Sequence, residues 1–392
     1  MDHFIAKTFL GLESVLAQEL KQLGAEAIKP QIRAISFQGD LRLMYKANFW
    51  LRTASRILKI IKTFNAKTAD EIYNFTKEIN WDEYLDVNQT FAIDATINSE
   101  TFYHSQFAAY RVKDAIADYF NEKYGRRPSV RITDPDIFIN LHISANQCTI
   151  SLDSSGESLH KRGYRNKQTK APINEALAAG MLLLAGYDGK ISFIDPMCGS
   201  GTFLIEAALI ALNIPPGIFR KKFAFENWKD FDKELFDEIY NDDSIENDFN
   251  GKIYGYDIST KAIETTLNNV KSAGLNRYID VKKCSIADFK PETHKALIIT
   301  NPPYGERLWD NNISALYNQI GQTLKHQCNG MTAWIISSSI DYLKKIGLKP
   351  SKKIDLLNGD LKCQFWKFDI FSGKRNEFLS AKNKHKTPII NI

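Results

Sequence analysis

The sequence predicts an α/β protein: a doubly wound, mostly parallel sheet in the C-terminal half, preceded by two smaller α/β units. Three observations predict it. Short apolar runs, ISFID (191–195), IYGYD (253–257), ALIIT (296–300) and AWIISS (333–338), alternate with helical segments, as parallel strands covered on both faces do. The first third instead mixes amphipathic helices with strands of period two. Near the end, IDLLNGDLKCQFWKFDIF places Asn358-Gly359 between two β-rich stretches, a two-residue hairpin signal.

In chain order, FIAKTF (4–9) is strand-like, and GLESVLAQELKQLG (11–24) sets Leu12, Val15, Leu16, Leu20 and Leu23 on one helical face before a closing glycine. AIKPQIRAISF (27–37) reads as a β segment interrupted by Pro30, DLRLMYKANFWLRTA (40–54) as a second helix, and ILKIIKTF as another strand. This β-α-β-α-β order suggests a ferredoxin-like unit. A helix then starts at Thr68, with Glu71 at capping-box spacing. QTFAIDATI (89–97), a long helix over 104–125 closed by Gly125, and the strands IFINLHI and CTISLD complete a second unit ending near Asp153. The apolar helix APINEALAAGMLLLAGY follows, with Pro172 expected in its first turn. Between Asn213 and Gly251 lies an insertion rich in acids and aromatics, expected as a helical excursion.

At 392 residues the chain accommodates two or three domains. Hydrophobic content of 44% with 25% charged residues is that of a folded globular protein. No run approaches the roughly 18 consecutive apolar residues of a membrane span. The N-terminus lacks the features of a signal peptide, so a cytoplasmic location is expected. The cysteines Cys148, Cys198, Cys284, Cys328 and Cys363 are scattered and form no metal-ligand or disulfide pattern, and no metal is expected. The charge of +5 is mild. The stretch HKRGYRNKQTK (160–170) concentrates it: Lys161, Arg162, Arg165, Lys167 and Lys170 surround Tyr164 without an acid. Basic side chains with an interleaved aromatic suit phosphates and one stacked base, while a solvated linker is the competing reading.

The segment FIDPMCGSGTFLIEAA places Asp195 at a strand's carboxyl end, then a glycine turn, then a helix, the crevice where open α/β sheets bind ligands. Pro196, Cys198, Gly199, Ser200, Gly201 and Thr202 form the turn. A dinucleotide site is disfavoured because Leu204 occupies the place of the third glycine. Asp195 would also repel a pyrophosphate and suits an amino-acid ammonium group instead. Asp257, ending IYGYD, can accept hydrogen bonds from ribose hydroxyls. Asp288, in CSIADF, can accept one from an adenine amine.

ALIITNPPYGERL is the most specific stretch. A buried strand ends in Asn301-Pro302-Pro303-Tyr304 at the same sheet edge. An amine attached to an aromatic ring is a poor nucleophile because its lone pair is delocalised. The Asn301 side-chain oxygen and the Pro302 carbonyl can accept hydrogen bonds from that amine and favour a pyramidal nitrogen. The prolines fix local φ angles, and Tyr304 can stack on the ring. The tetrad by itself allows adenine, guanine or a peptide amide. Glu306 and Arg307 beside it suit either RNA contact or mutual pairing.

These motifs resemble those of the THUMP-domain RNA methyltransferases, specifically the bacterial large-subunit (23S) rRNA guanine-N2 methyltransferases. DPMCGSGTFLIEAA and NPPYGERL resemble that group's cofactor and catalytic motifs. SLDSSGESLHKRGYR resembles its domain junction, and HSQFAAYRVKDAIADYF with PDIFINLHI its THUMP core. The resemblance implies a ferredoxin-like unit over 1–45, a THUMP RNA-binding domain over 46–155 and a seven-stranded, Rossmann-like class I methyltransferase domain over 156–380. A basic tail over 381–392 would follow. It implies S-adenosylmethionine as cofactor and RNA as partner, with Lys161, Arg162, Tyr164 and Arg165 contacting it. A fused 7-methylguanine domain found in some members is not expected. Three other readings stay open: a tRNA guanine-N2 methyltransferase, a DNA adenine-N6 methyltransferase, and a non-catalytic ribosome-assembly factor.

Overall fold

The computed structural model describes residues 1–102, 104–165, 173–303 and 310–371, with the backbone alone for 310–312. The chain forms two compact units. One comprises Met1–Gly163 and Pro215–Ile245, the other Tyr164–Ile214 and the described residues from Glu246 onward. Lys167, Lys170, Pro172, Tyr304, Glu306, Arg307 and the tail 381–392 lie outside the described residues.

The first unit begins β1 (Asp2–Lys7), α1 (Glu13–Gln22), β2 (Glu26–Gln31), β3 (Ala34–Gly39), α2 (Leu41–Trp50), β4 (Arg56–Asn65). It continues α3 (Ala69–Lys77), β5 (Thr90–Asn98), α4 (Ser105–Tyr124), β6 (Ser129–Val130), β7 (Ile137–Ser144) and β8 (Gln147–Asp153). Stretch 27–37, expected as one β segment, is instead a hairpin: Gln31 pairs with Ala34, and Arg33 takes a left-handed φ of 58° in the turn between them. The order is therefore β-α-β-β-α-β. Pro30 is tolerated because β2 is an edge strand with β3 as its single neighbour.

All eight strands join one sheet in the order β2-β3-β1-β4-β8-β7-β5-β6. The two expected subunits of fold are thus stitched by β4, which pairs antiparallel with β1 along one edge and with β8 along the other. The Thr68 side chain caps α3 through the Glu71 amide at 3.2 Å, as its spacing predicts.

The second unit contributes α5 (Glu175–Leu184), β9 (Ser192–Asp195) and α6 (Thr202–Ala211) before the insertion, which carries α7 (Lys233–Tyr240). It resumes with β10 (Ile253–Asp257), α8 (Thr260–Ser272), β11 (Ile279–Lys283), β12 (Ala296–Thr300), α9 (Asp310–Gln327), β13 (Thr332–Ser337), α10 (Ile340–Lys345), β14 (Lys352–Asn358) and β15 (Leu361–Asp369). α5 starts later than expected, because the Asn174 side chain accepts the Ala176 and Leu177 amides and sets the first turn there. The seven strands order as β11-β10-β9-β12-β13-β15-β14. The first five are parallel, and β15 runs antiparallel to both β13 and β14. Asn358 pairs with Leu361, so the hairpin loop is Gly359-Asp360, one residue later than the sequence signal. No helix among the described residues is long and apolar enough to cross a membrane.

The insertion departs most from expectation. Its residues 215–245 belong to the first unit, where α7 packs against α2. Tyr45 of α2 lies 4.6 Å, centroid to centroid, from Phe225, and Phe225 lies 5.0 Å from Phe236 and stacks on Phe223 at 5.2 Å. The Tyr45 hydroxyl accepts the Asp232 amide at 2.9 Å while the Asp232 side chain caps α7. The aromatics form core, and the acids sit at caps and on the surface.

Phe225 is fully buried. Phe225→Ala is therefore expected to destabilise the folded chain by about 3–5 kcal/mol. Denaturant unfolding checks this; an unchanged midpoint would mean that the insertion is an appendage without part in the core.

Candidate active site

The site is a product of strand order. From β9 the chain runs outward through β10 to β11, then returns to lay β12 on the other side of β9. Such a reversal opens a crevice at the carboxyl ends of the two central strands. Asp195 ends β9, Asp257 ends β10, Asp288 follows β11 and Asn301 follows β12, so the four side chains expected to act come to one sheet edge.

Asp195 is 2% exposed. Its Oδ1 accepts the Thr300 hydroxyl at 2.8 Å and the Met197 amide at 3.1 Å. Burial raises its carboxyl to about 7, with the nearby Asp257 charge adding to the rise. Asp257 is committed on both oxygens: one accepts the Gly199 amide at 3.0 Å, the other the Ser259 amide at 2.8 Å. Each oxygen keeps a second lone pair. Asp288 is exposed on the turn that follows β11, where its amide bonds to the Ser285 carbonyl at 3.0 Å. The Cys284 amide bonds to the Asp257 carbonyl at 3.0 Å and ties this turn to the end of β10.

The glycine turn is held from behind. The Cys198 amide bonds to the Tyr256 carbonyl at 2.8 Å, the Thr266 hydroxyl to the Gly199 carbonyl at 2.9 Å, and the Asn269 amide group to the Ser200 carbonyl at 3.1 Å. Gly201 has φ 81°, and a Cβ there would stand 2.7 Å from the Thr266 methyl group. Only glycine fits there, because a side chain would strike α8 where the turn packs against that helix. Pro196, Cys198, Ser200 and Thr202 are buried around it. Burial pushes the Cys198 thiol well above its ordinary range, which makes it packing rather than a nucleophile. Thr266, Asn269 and Thr300 were not among the expected residues. A threonine and an asparagine three apart on the buried face of α8 are the available sequence signal, and it is weak.

Asn301 closes the crevice. Its Oδ1 is buried and has no hydrogen-bond partner among the described residues. An acceptor in that state costs free energy unless something donates to it. Pro302 is buried beside it and Pro303 is half-buried. Tyr304, the fourth residue of the tetrad, lies outside the described residues.

The basic junction is corrected by the structure. Arg162 is 2% exposed and donates to the Leu159 and Arg52 carbonyls. Tyr164, expected to stack on a base, is 1% exposed, and its hydroxyl donates to Glu206 at 3.0 Å. Arg165 forms a buried ion pair with Glu175 at 3.2 Å and donates to Thr202 at 2.8 Å. These three side chains answer internal acceptors. Lys161 alone of the four stays exposed, beside Glu157 at 2.7 Å. A run of cations looks identical in sequence whether its partners are phosphates or buried carbonyls.

Residues 162–367 match the family model of the RMKL-like methyltransferase domain. Residues 66–153 match the THUMP domain and residues 3–58 the RlmL ferredoxin-like domain. The chain belongs to the RMKL-like methyltransferase family. It is 39% identical over 371 residues to slr0064 of Synechocystis, a protein named for RNA methylation, covering 94% of this chain and 97% of that one. It is 40% identical over 377 residues to the ribosomal RNA large subunit methyltransferase K/L of Methylococcus capsulatus, covering 94% of this chain and 51% of that protein. The chain thus spans about half the length of the K/L relatives it matches. Among solved structures, SMU.472, crystallised with S-adenosylhomocysteine (SAH), superposes with a TM-score of 0.85 at 32% identity, over 95% of this chain and 99% of that one. The fold is accordingly a ferredoxin-like region and THUMP domain with a class I methyltransferase domain.

An ammonium group bound at Asp195 would require the ionised carboxylate. The folded chain holds the Asp195 proton more tightly than the unfolded chain, so this group lowers the stability of the ligand-free protein as pH rises from about 4 to about 7 and adds no change above that. Ligand binding has the opposite slope. SAH affinity is expected to rise about tenfold per unit up to pH about 7 and then level. Calorimetric titration across that range checks it, and a flat profile would show that Asp195 is not the ammonium partner.

Proposed function

We propose that this chain methylates the exocyclic N2 amine of a guanine in RNA, with 23S rRNA as the favoured substrate. The observation that carries the reading is the orphaned Asn301 Oδ1, a buried acceptor at the carboxyl end of β12 next to the Pro302 carbonyl. A planar amine has two N–H donors, and these two acceptors match them. Accepting both bonds favours a pyramidal nitrogen, whose lone pair would take the methyl as the methyl's bond to sulfur breaks; the amine's extra proton would then pass to solvent, once alkylation has made it acidic. No side chain has to act as a strong base first.

S-adenosylmethionine supplies the sulfonium methyl when bound. The residues present fit it. Asp195 has an oxygen left for the amino-acid ammonium, the glycine turn beside it is held in place by α8, and Asp257 has lone pairs for ribose hydroxyls. Asp288, exposed at the same edge, takes the adenine amine. Domains 1–45 and 46–155 would present the RNA. The names of the K/L relatives support large-subunit rRNA over tRNA, and the THUMP match supports RNA over DNA.

The test is methyl transfer from labelled S-adenosylmethionine to purified 23S rRNA, tRNA and double-stranded DNA, followed by identification of the modified nucleoside. N2-methylguanosine in rRNA is the expected product. Product confined to tRNA would replace the substrate, and N6-methyladenine in DNA would replace the acceptor. Asn301→Ala is expected to lower kcat by about a hundredfold or more while leaving SAH affinity within about twofold. Unchanged turnover would remove Asn301 from the chemistry.

A further inference from the structure

Thr300 precedes the Asn301 tetrad and belongs to β12, whereas Asp195 ends β9, the neighbouring parallel strand. Their side chains meet between the two strands, hydroxyl to carboxylate at 2.8 Å, with Thr300 1% and Asp195 2% exposed. Two donors converge on one carboxylate oxygen: the Thr300 hydroxyl and the Met197 amide both bond to Oδ1. That leaves Oδ2 as the oxygen for a ligand. The Met197 amide comes from the Asp195 strand's own turn and moves with it. Thr300 is the donor that comes from the strand carrying the amine site.

We propose that Thr300 is a positioning residue for the cofactor. Its hydroxyl fixes the Asp195 carboxylate with Oδ1 occupied and Oδ2 free for the amino-acid ammonium, and so sets the cofactor's reacting end in register with Asn301. This rests on the reading of the site as an S-adenosylmethionine site. A hydroxyl in this place acts in two ways. It removes one rotational freedom from the carboxylate, and it donates to the charged form, which favours ionisation of a group that burial pushes the other way. Among the described residues Cys198 in the turn faces Asp195 as a neutral thiol, its ionisation pushed up by burial and the carboxylates; burial and the Asp257 charge at the end of β10 disfavour the ionised Asp195 carboxylate. The hydrogen bonds from Thr300 and the Met197 amide are what oppose them.

Thr300→Val keeps the shape and removes the donor. SAH titrations by calorimetry on the full chain are compared for the unaltered protein, Thr300→Val and Thr300→Ser across pH. The expected result for Thr300→Val is an affinity midpoint displaced upward by about one pH unit. Its Kd for SAH is then about tenfold weaker below the midpoint and converges on the parent's above it, where both carboxylates are ionised. Thr300→Ser restores the parent profile. A loss of packing alone would weaken binding equally at every pH. A Thr300→Val midpoint equal to the parent's, in a chain that still binds SAH, overturns the proposal and leaves the cofactor assignment standing. Failure of the unaltered chain to bind SAH overturns both. If the valine variant does not fold, Thr300→Ala supplies the same comparison with a small void in place of a methyl group.

Discussion

In an open parallel sheet the strand ends form a crevice only where the order of connection reverses, and in this chain that place is the seam between β9 and β12. The seam brings two strands far apart in sequence side by side, with Ile194 in register with Ile298. Everything chemical in the second unit follows from it. Asp195 and Asn301 end adjacent strands, and the Thr300–Asp195 hydrogen bond crosses between them. A carboxylate withdrawn from water needs donors. Here the donors come from the glycine turn and from the strand that ends at Asn301.

Support for the glycine turn comes from α8. Thr266 and Asn269 hold the carbonyls of Gly199 and Ser200, and both Asp257 oxygens hold amides, one of them Gly199's. With those backbone groups already satisfied, the turn keeps its shape without a ligand, so little ordering has to occur on binding. Asn301 is the contrasting case: its side-chain oxygen is buried and has no donor among the described residues.

The first unit makes a different use of its sequence. One eight-stranded sheet absorbs what the pattern of elements suggested were two units, because β4 has a pairing edge on each side and both are taken. The insertion after α6 then adds aromatics to the core of that unit, with Tyr45 of α2 among them. In sequence, FENWKDFDKELFDEIY shows only an acidic stretch with a helical period at its end.

Local patterns were enough to read much of this protein from sequence: the alternation of buried strands and helices, the Thr68 cap, the Asp195 glycine turn and the Asn301-Pro302 strand end. Each depends on residues a few positions apart, so backbone preference and side-chain periodicity report them directly. The hairpin loop was misplaced by one residue because register is set by pairing along the whole strand, and the split at Ile32-Arg33 was missed because the turn there relies on a left-handed arginine rather than a glycine. What only the tertiary structure decided were the partners. Arg162, Tyr164 and Arg165 turn inward to carbonyls and carboxylates, residues 215–245 join the first unit, and Thr300 reaches Asp195 across 105 positions. A charge, a ring or a hydroxyl carries no mark in sequence of the group it will meet, since that is settled by which elements the fold sets side by side.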